Sequence, residues 1–346
     1  MKTSGLTRSP MRRSPFPTAL HARTTAGVAL ALAVGLTLTA CGGGGKNAAK
    51  GNTKETTSST APDKVQGSVA SYDLAVGPPS RFILGIFNEA KGPVGYGTVP
   101  FSFFFLGANS ASGTPQPGPT ATATYLPLPG SPPPPADTSK PVYLPTSERG
   151  VYAADVAFDK PGYWGVSATL DLGGPQKVST PFKVQPKHAV PAPGDAAIPS
   201  QNLTISTPGA PPEAIDSRAS ATTPVPDPEL HQTTVAQALA EKRPVVLVIS
   251  TPTYCVSLFC GPVTEMVAGL AKDYANRARF IHIEVWKDYK AQQLNDAAKE
   301  WIARGEDINE PWVFLIGADG KITARFDNVV TRSELEPLIQ KLPPKA

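Results

Sequence analysis

Two thiols, Cys255 and Cys260, are the residues best placed to do chemistry in this chain. They follow the run 245–249, which is apolar at every position and β-branched at all but Leu247. That pattern predicts a central strand covered on both faces. After Cys260 come Gly261 and Pro262, then apolar residues at 263, 266, 267, 270, 271 and 274, which is helical spacing. Proline suits the first helical turn, where its missing N–H costs nothing. Cys260 is therefore expected at or just before a helix N-terminus. Unpaired amides and the helix dipole there favour a thiolate, so Cys260 reads as the more acidic thiol of the two.

The compartment follows from the other end of the chain. Residues 1–40 hold Lys2, Arg8, Arg12, Arg13 and Arg23 and no acid, which is five positive charges against a formal total of +4, leaving −1 for the rest. A near-neutral remainder excludes nucleic acid as an expected partner. Residues 26–40 are uncharged, shorter than a comfortable membrane span of ~20 residues, and have the layout of a secretory signal. The stretch Leu38-Thr39-Ala40-Cys41 resembles a bacterial lipobox, and by that resemblance Cys41 becomes the lipidated first residue of the mature protein. The expectation is a lipid anchor in the cell membrane, with the rest on the extracytoplasmic face. Residues 41–68 read as a flexible tether. Of the three cysteines, the lipid uses one, and two remain in a compartment that permits disulfides. Such a pair serves either structure or redox chemistry.

Residues 69–185 read as an antiparallel β-sandwich. Strands are expected at 70–76, 81–87, 99–107, 121–126, 151–158, 162–170 and 177–184, with a Pro-rich loop over 109–146. Asp159-Lys160-Pro161-Gly162 is a turn signal between two cleanly alternating strands. Phe101, Phe103, Phe104 and Phe105 read as its core. The stretch 150–170 resembles small immunoglobulin-like domains of bacterial envelope proteins. Residues 186–228, rich in Pro, Ala, Ser and Thr, read as a semi-rigid linker.

From 229 to 346 the pattern alternates between helix and strand. Thr234 with Gln237 and Thr331 with Glu334 are capping-box signals. The expected order is αβαβαββα. That order, with paired cysteines after its first strand and Pro311 opening its third, resembles the thioredoxin family over about 229–343. The expected architecture is thus multidomain, an antiparallel sandwich followed by an α/β thioredoxin-like fold.

The resemblance implies that one cysteine attacks a partner disulfide while the other resolves the mixed disulfide. It also implies a cis Pro311 facing the cysteines, with Glu310, Trp312 and Tyr254 bordering the substrate. Three features depart from the family. The spacing is C-x4-C instead of C-x2-C. Tyr254 stands where the family has Trp before its first cysteine. Ile249 stands where the family has a buried acid. Counting from the strand puts Cys255 in the attacking position, whereas reading Cys-Gly-Pro puts Cys260 there and Val263 in the place of the second cysteine.

The leading expectation is a membrane-tethered thiol–disulfide oxidoreductase, monomeric, without cofactor or metal, acting on client protein disulfides or thiols. The alternatives are a binding module with a static disulfide, and copper handling with His282 as a third ligand. Trp286 and Trp301 read as packing residues, and Glu284 as a solvated or sheet-edge charge, or alternatively as a substitute proton acceptor for the acid missing at Ile249.

Overall fold

A computed structural model describes residues 64–304 and 307–343. The signal segment, the lipidation position Cys41 and most of the expected tether lie outside these residues. The described residues fall within one compact unit. Among them no helix is long and apolar enough to cross a membrane.

The first half is one antiparallel sheet of nine strands. They are β1 (Gln66–Val69), β2 (Ser80–Asn88), β3 (Gly92–Gly95), β4 (Thr98–Gly107), β5 (Gln116–Pro127), β6 (Val142–Tyr143), β7 (Gly150–Val156), β8 (Gly162–Asp171) and β9 (Pro175–Val184). The order is β6-β3-β2-β7-β5-β4-β8-β9, with β1 on β2. Alternation drives the assembly: on β4, Val99, Phe101 and Phe103 are buried while Thr98, Pro100 and Ser102 are exposed. The sheet folds back until β1 nears β9; a Cβ on Gly67 would come within 2.4 Å of Val178. It encloses Phe82, Phe101, Phe103, Phe158, Trp164 and Phe182, whose rings meet mostly edge to face. This β-rich arrangement is compatible with the immunoglobulin-like expectation. Phe104 and Phe105 are only half-buried, because the β4 register shifts after Ser102 and breaks the alternation.

Two expectations in this half need correction. Residues 70–76 are not a strand, apart from one bridge between Ala75 and Gln185. The strand expected at 121–126 forms as part of β5, but β5 begins earlier, at Gln116, and pairs with β4 and β7, so it takes up more of the range 109–146 than a Pro-rich loop allows. Its alternating Thr and Ala from 120 to 124 suit the pleated ladder expected there.

The second half begins with α1 (Pro212–Ile215) and α2 (Val235–Ala240) and continues with β10 (Val245–Ser250), α3 (Cys260–Tyr274) and β11 (Arg279–Glu284). Two short hairpins, β12 (Trp286–Asp288) with β13 (Gln293–Leu294) and β14 (Ala303–Arg304) with β15 (Asp307–Ile308), flank α4 (Asp296–Ile302). Last come β16 (Trp312–Ile316), β17 (Ile322–Asp327) and α5 (Arg332–Gln340). The sheet order is β11-β10-β16-β17, with β10 and β11 parallel and the other pairs antiparallel. β10 is buried at all six residues because both faces are covered. Val245, Leu247 and Ile249 pack with α2 and α4, whereas Val246 and Val248 pack with α3 and α5. Both capping boxes form as their spacing predicts.

Residues 186–228 do not behave as a linker. Val190 and Ile215 are at most 5 % exposed, and Asp216 is fully buried. The segment has few large apolar residues, but its short polar side chains fit against the sheet and hydrogen-bond there. Ser200 Oγ, for example, receives Trp301 Nε1 at 3.0 Å. The two halves are also pinned together. Arg325 of β17 donates to Asp73 Oδ2 at 2.8 Å, Arg81 of β2 pairs with Glu334 at 3.1 Å, and Tyr72 N–H donates to Asp327 Oδ2 at 2.6 Å.

Candidate functional site

Cys255 and Cys260 form a disulfide with Cα atoms 5.9 Å apart. Cys260 is the first residue of α3 and has no solvent exposure; Cys255, in the preceding loop, retains 8 %. The residue before α3, Phe259, gives no side-chain cap. The orphan N–H of Cys260 points instead at Cys255 Sγ, 3.4 Å away, and Ser257 Oγ lies 3.2 Å from the same sulfur. On reduction, the helix terminus and the Ser257 hydroxyl would stabilise a thiolate on Cys255. This reverses the preference for Cys260 as the acidic thiol: the dipole acts on the atom in front of the helix, not on the residue inside its first turn. Val263, the place of the second cysteine in the Cys-Gly-Pro reading, is fully buried among β10 and α3 side chains. Counting from the strand gives the register the geometry supports.

The loop carrying Cys255 is held from two sides. Phe259 packs against Ile83, Val151 and Val329, at the seam between the halves. Beside it opens a cleft of about 420 Å³, lined by Tyr72, Val151, Ser257, Phe259 and Asn328 among others. On the other side Tyr254 stacks on Tyr289 with ring centres 3.9 Å apart, and Trp286 meets Tyr289 edge-on. Between these supports Val256 is 95 % and Leu258 is 55 % exposed, so two apolar side chains of the loop between the cysteines stand in solvent.

The Glu310–Pro311 peptide is cis, as the resemblance implies. Glu310 is half-buried, and its carboxylate lies within 4.8 Å of both sulfurs. Burial, then the nearby Glu284 carboxylate, pushes the Glu310 acid up to about 7. Tyr72 donates its hydroxyl to the Glu310 carbonyl at 2.8 Å, and burial raises that phenol above its ordinary range. Trp312, beside the cis proline, is packed into the core of the second half. It is 2 % exposed, stacks on Phe314 and donates Nε1 to the Asn309 carbonyl at 2.9 Å. As the first β16 residue it faces the α4 side of the sheet.

Glu284 corrects another expectation. It is buried, not solvated, and accepts from the Ser217 N–H at 2.8 Å and the Trp286 N–H at 3.2 Å. Burial raises its acid above the usual range. The cover comes from the segment 212–218, expected to be linker.

Asp216, His231 and His282 form a second cluster, all three fully buried. Their types suit a metal, but Arg218 already clasps Asp216 through Nε at 3.0 Å and Nη2 at 2.7 Å. Burial alone would raise the Asp216 acid; its His231, His282 and Arg218 partners outweigh that and hold it far below the carboxylate range. A buried chain of hydroxyls links this cluster to the disulfide. Thr264 donates to the Cys260 carbonyl at 2.8 Å, Ser250 Oγ lies 2.7 Å from Thr264 Oγ1, and His282 Nε2 lies 3.0 Å from Ser250 Oγ. Each hydroxyl has one proton and the chain ends on a carbonyl, so every member donates downstream and His282 Nε2 carries a hydrogen. His282 is thereby engaged away from the sulfurs, and the group gathered around them contains Glu310 instead. The copper reading loses its third ligand.

Sequence reasoning missed Tyr72 and Asp216 as partners of the site. Tyr72 is 238 positions from Glu310 and lies in a stretch with no motif. Asp216 sits in a Pro/Ala-rich stretch whose composition signals no fold. No family model, curated protein or solved structure matches this chain.

Proposed function

We propose that this chain is a thiol–disulfide oxidoreductase whose second half is thioredoxin-like, exported and held at the extracytoplasmic membrane face through Cys41. The observation that carries the reading is the Cys255 sulfur: it is the more accessible of the pair and sits in front of the α3 N-terminus with the Cys260 N–H aimed at it. In the reducing direction, the Cys255 thiolate attacks a client disulfide, forming a Cys255–client bond and releasing one client thiolate, which takes up a proton. The Cys260 thiol loses its proton and attacks Cys255 Sγ. The second client sulfur leaves, and two electrons have passed from the protein to the client. The exposed Val256 and Leu258 offer an apolar surface for an extended client segment.

The test is trapping with the full chain. Reduced Cys260→Ser, offered a peptide disulfide, accumulates a mixed disulfide on Cys255, and Cys255→Ser does not. Failure of Cys260→Ser to trap anything overturns the proposal. It would leave the second reading, a static disulfide in a binding module, which the low exposure of Cys255 and the clamping of Phe259 favour.

A further inference from the structure

We propose that Glu310 is the acid–base group of the cysteine pair, giving a proton to the Cys260 sulfur when the disulfide opens and taking it back when the disulfide closes. The inference rests on the exchange reading above and names the group that completes it.

The need for such a group comes from burial. When a thiolate attacks Cys255 Sγ, the Cys255–Cys260 bond breaks and Cys260 departs with the bonding electrons. Its sulfur has no solvent exposure, so a charge left there is unsolvated. A proton must arrive from inside the site. Ile249, at the end of β10, is fully buried among hydrocarbon and supplies none. The Thr264–Ser250–His282 chain donates to the Cys260 carbonyl, not to its sulfur.

Glu310 has the required position. Its carboxylate is the acidic group gathered with both sulfurs, within 4.8 Å of each, close enough for direct transfer after a side-chain adjustment or through one water. Its carboxylate accepts no hydrogen bond among the described residues, so nothing competes for its proton. The backbone, by contrast, is held by the Tyr72 hydroxyl and by Pro311 at the head of β16. The charged and titratable neighbours are Glu284 on β11, Tyr72, and the Asp327 and Arg304 groups bonded to the Tyr72 backbone. Glu284 opposes ionisation of Glu310. With burial it brings the acid to about 7, so both forms are populated at neutral pH.

The balanced step is client thiolate plus the Cys255–Cys260 disulfide plus the Glu310 acid, giving the client–Cys255 mixed disulfide, the Cys260 thiol and the Glu310 carboxylate. In reverse, the carboxylate removes the Cys260 proton and the new thiolate expels the client.

The experiment follows reduction of the full oxidised chain by dithiothreitol from pH 5.5 to 8.5. Freed thiols are alkylated at timed intervals, and each rate is divided by the thiolate fraction of the reagent. The wild-type rate so corrected falls as pH rises through about 7. Glu310→Gln, with an unchanged circular dichroism spectrum, lacks that fall and is slower below pH 7 by roughly 100-fold or more. A corrected wild-type profile that is flat across pH 7, or a Gln variant superimposed on wild type, overturns the assignment while leaving exchange intact. If Glu310→Gln does not fold, the wild-type profile alone decides. If no thiols are freed at any pH, the exchange reading and this assignment fall together.

Discussion

The Tyr72 hydroxyl donates a 2.8 Å hydrogen bond to the Glu310 carbonyl, joining the approach to the β-rich half directly to the residue before the cis proline. The tyrosine ring also packs on Trp312, with centres 5.9 Å apart. The first half thus takes part in shaping the cysteine site. Tyr72→Phe keeps the ring and removes the bond. The expected loss is about 1 kcal/mol of stability, read from urea unfolding, together with a changed pH profile of disulfide reduction because Glu310 is less firmly placed. An unchanged profile would mean that the bond serves stability alone.

Asp73 and the Arg81–Glu334 pair are ionic pins between the halves, and Asp73 is the more deeply buried. It takes Arg325 at 2.8 Å and the N–H groups of Ala189 and Val190 at 3.1 and 3.2 Å. Asp73→Ala leaves a largely buried guanidinium without its counter-ion and is expected to cost about 3 kcal/mol. Limited proteolysis should then cut between residues 186 and 228, a stretch protected in the wild type by its packing on both halves.

Leu258 has φ of 65° and 55 % exposure, a backbone conformation that suits glycine and a side chain that packs little. Leu258→Gly is expected to raise stability by about 0.5–1 kcal/mol through relief of strain. If Leu258 contacts clients, the same variant lowers the rate of mixed-disulfide formation with an apolar peptide disulfide. A melting temperature below wild type would show that the side chain packs more than its exposure indicates.

Acid should unfold the protein in stages. His231 is buried and its basicity is lowered, first by desolvation, so the unfolded chain takes up a proton below about pH 6.5 that the folded one refuses. Stability falls as pH drops from there. Asp216 is held below its ordinary 3.8, so its contribution is complete above about pH 4 and erodes below it. Glu310 acts in the opposite sense. Its raised acid holds a proton in the fold between about 4.5 and 7, so its contribution is present below 4.5 and lost as pH rises through 7. Urea midpoints at pH 7.5, 5.5 and 3.5 should show a steeper loss between the first two in Glu310→Gln than in wild type. Asp216→Asn should cost about 3 kcal/mol at pH 7 and remove the step below pH 4.

The local elements of the site were legible in the residues themselves. Five apolar residues in a row announced β10, period-3.6 apolar spacing with Pro262 announced α3, and Thr-x-x-Gln and Thr-x-x-Glu announced two capped helices. These signals are local because strand alternation, helix periodicity and capping involve neighbours within four positions. Which thiol faces the helix terminus was not legible. Only the loop path puts Cys255 Sγ before the Cys260 N–H. Nor was the burial of Glu284 or Glu310 legible. A carboxylate's acidity depends on what covers it, and the covers come from segment 212–218 and from Tyr72, both far away in sequence. The sequence by itself determined that two thiols stand between a buried strand and a helix. Tertiary packing alone decided which sulfur is approachable and which acid stands beside it, because desolvation and charge proximity act through space and leave no periodic trace along the chain.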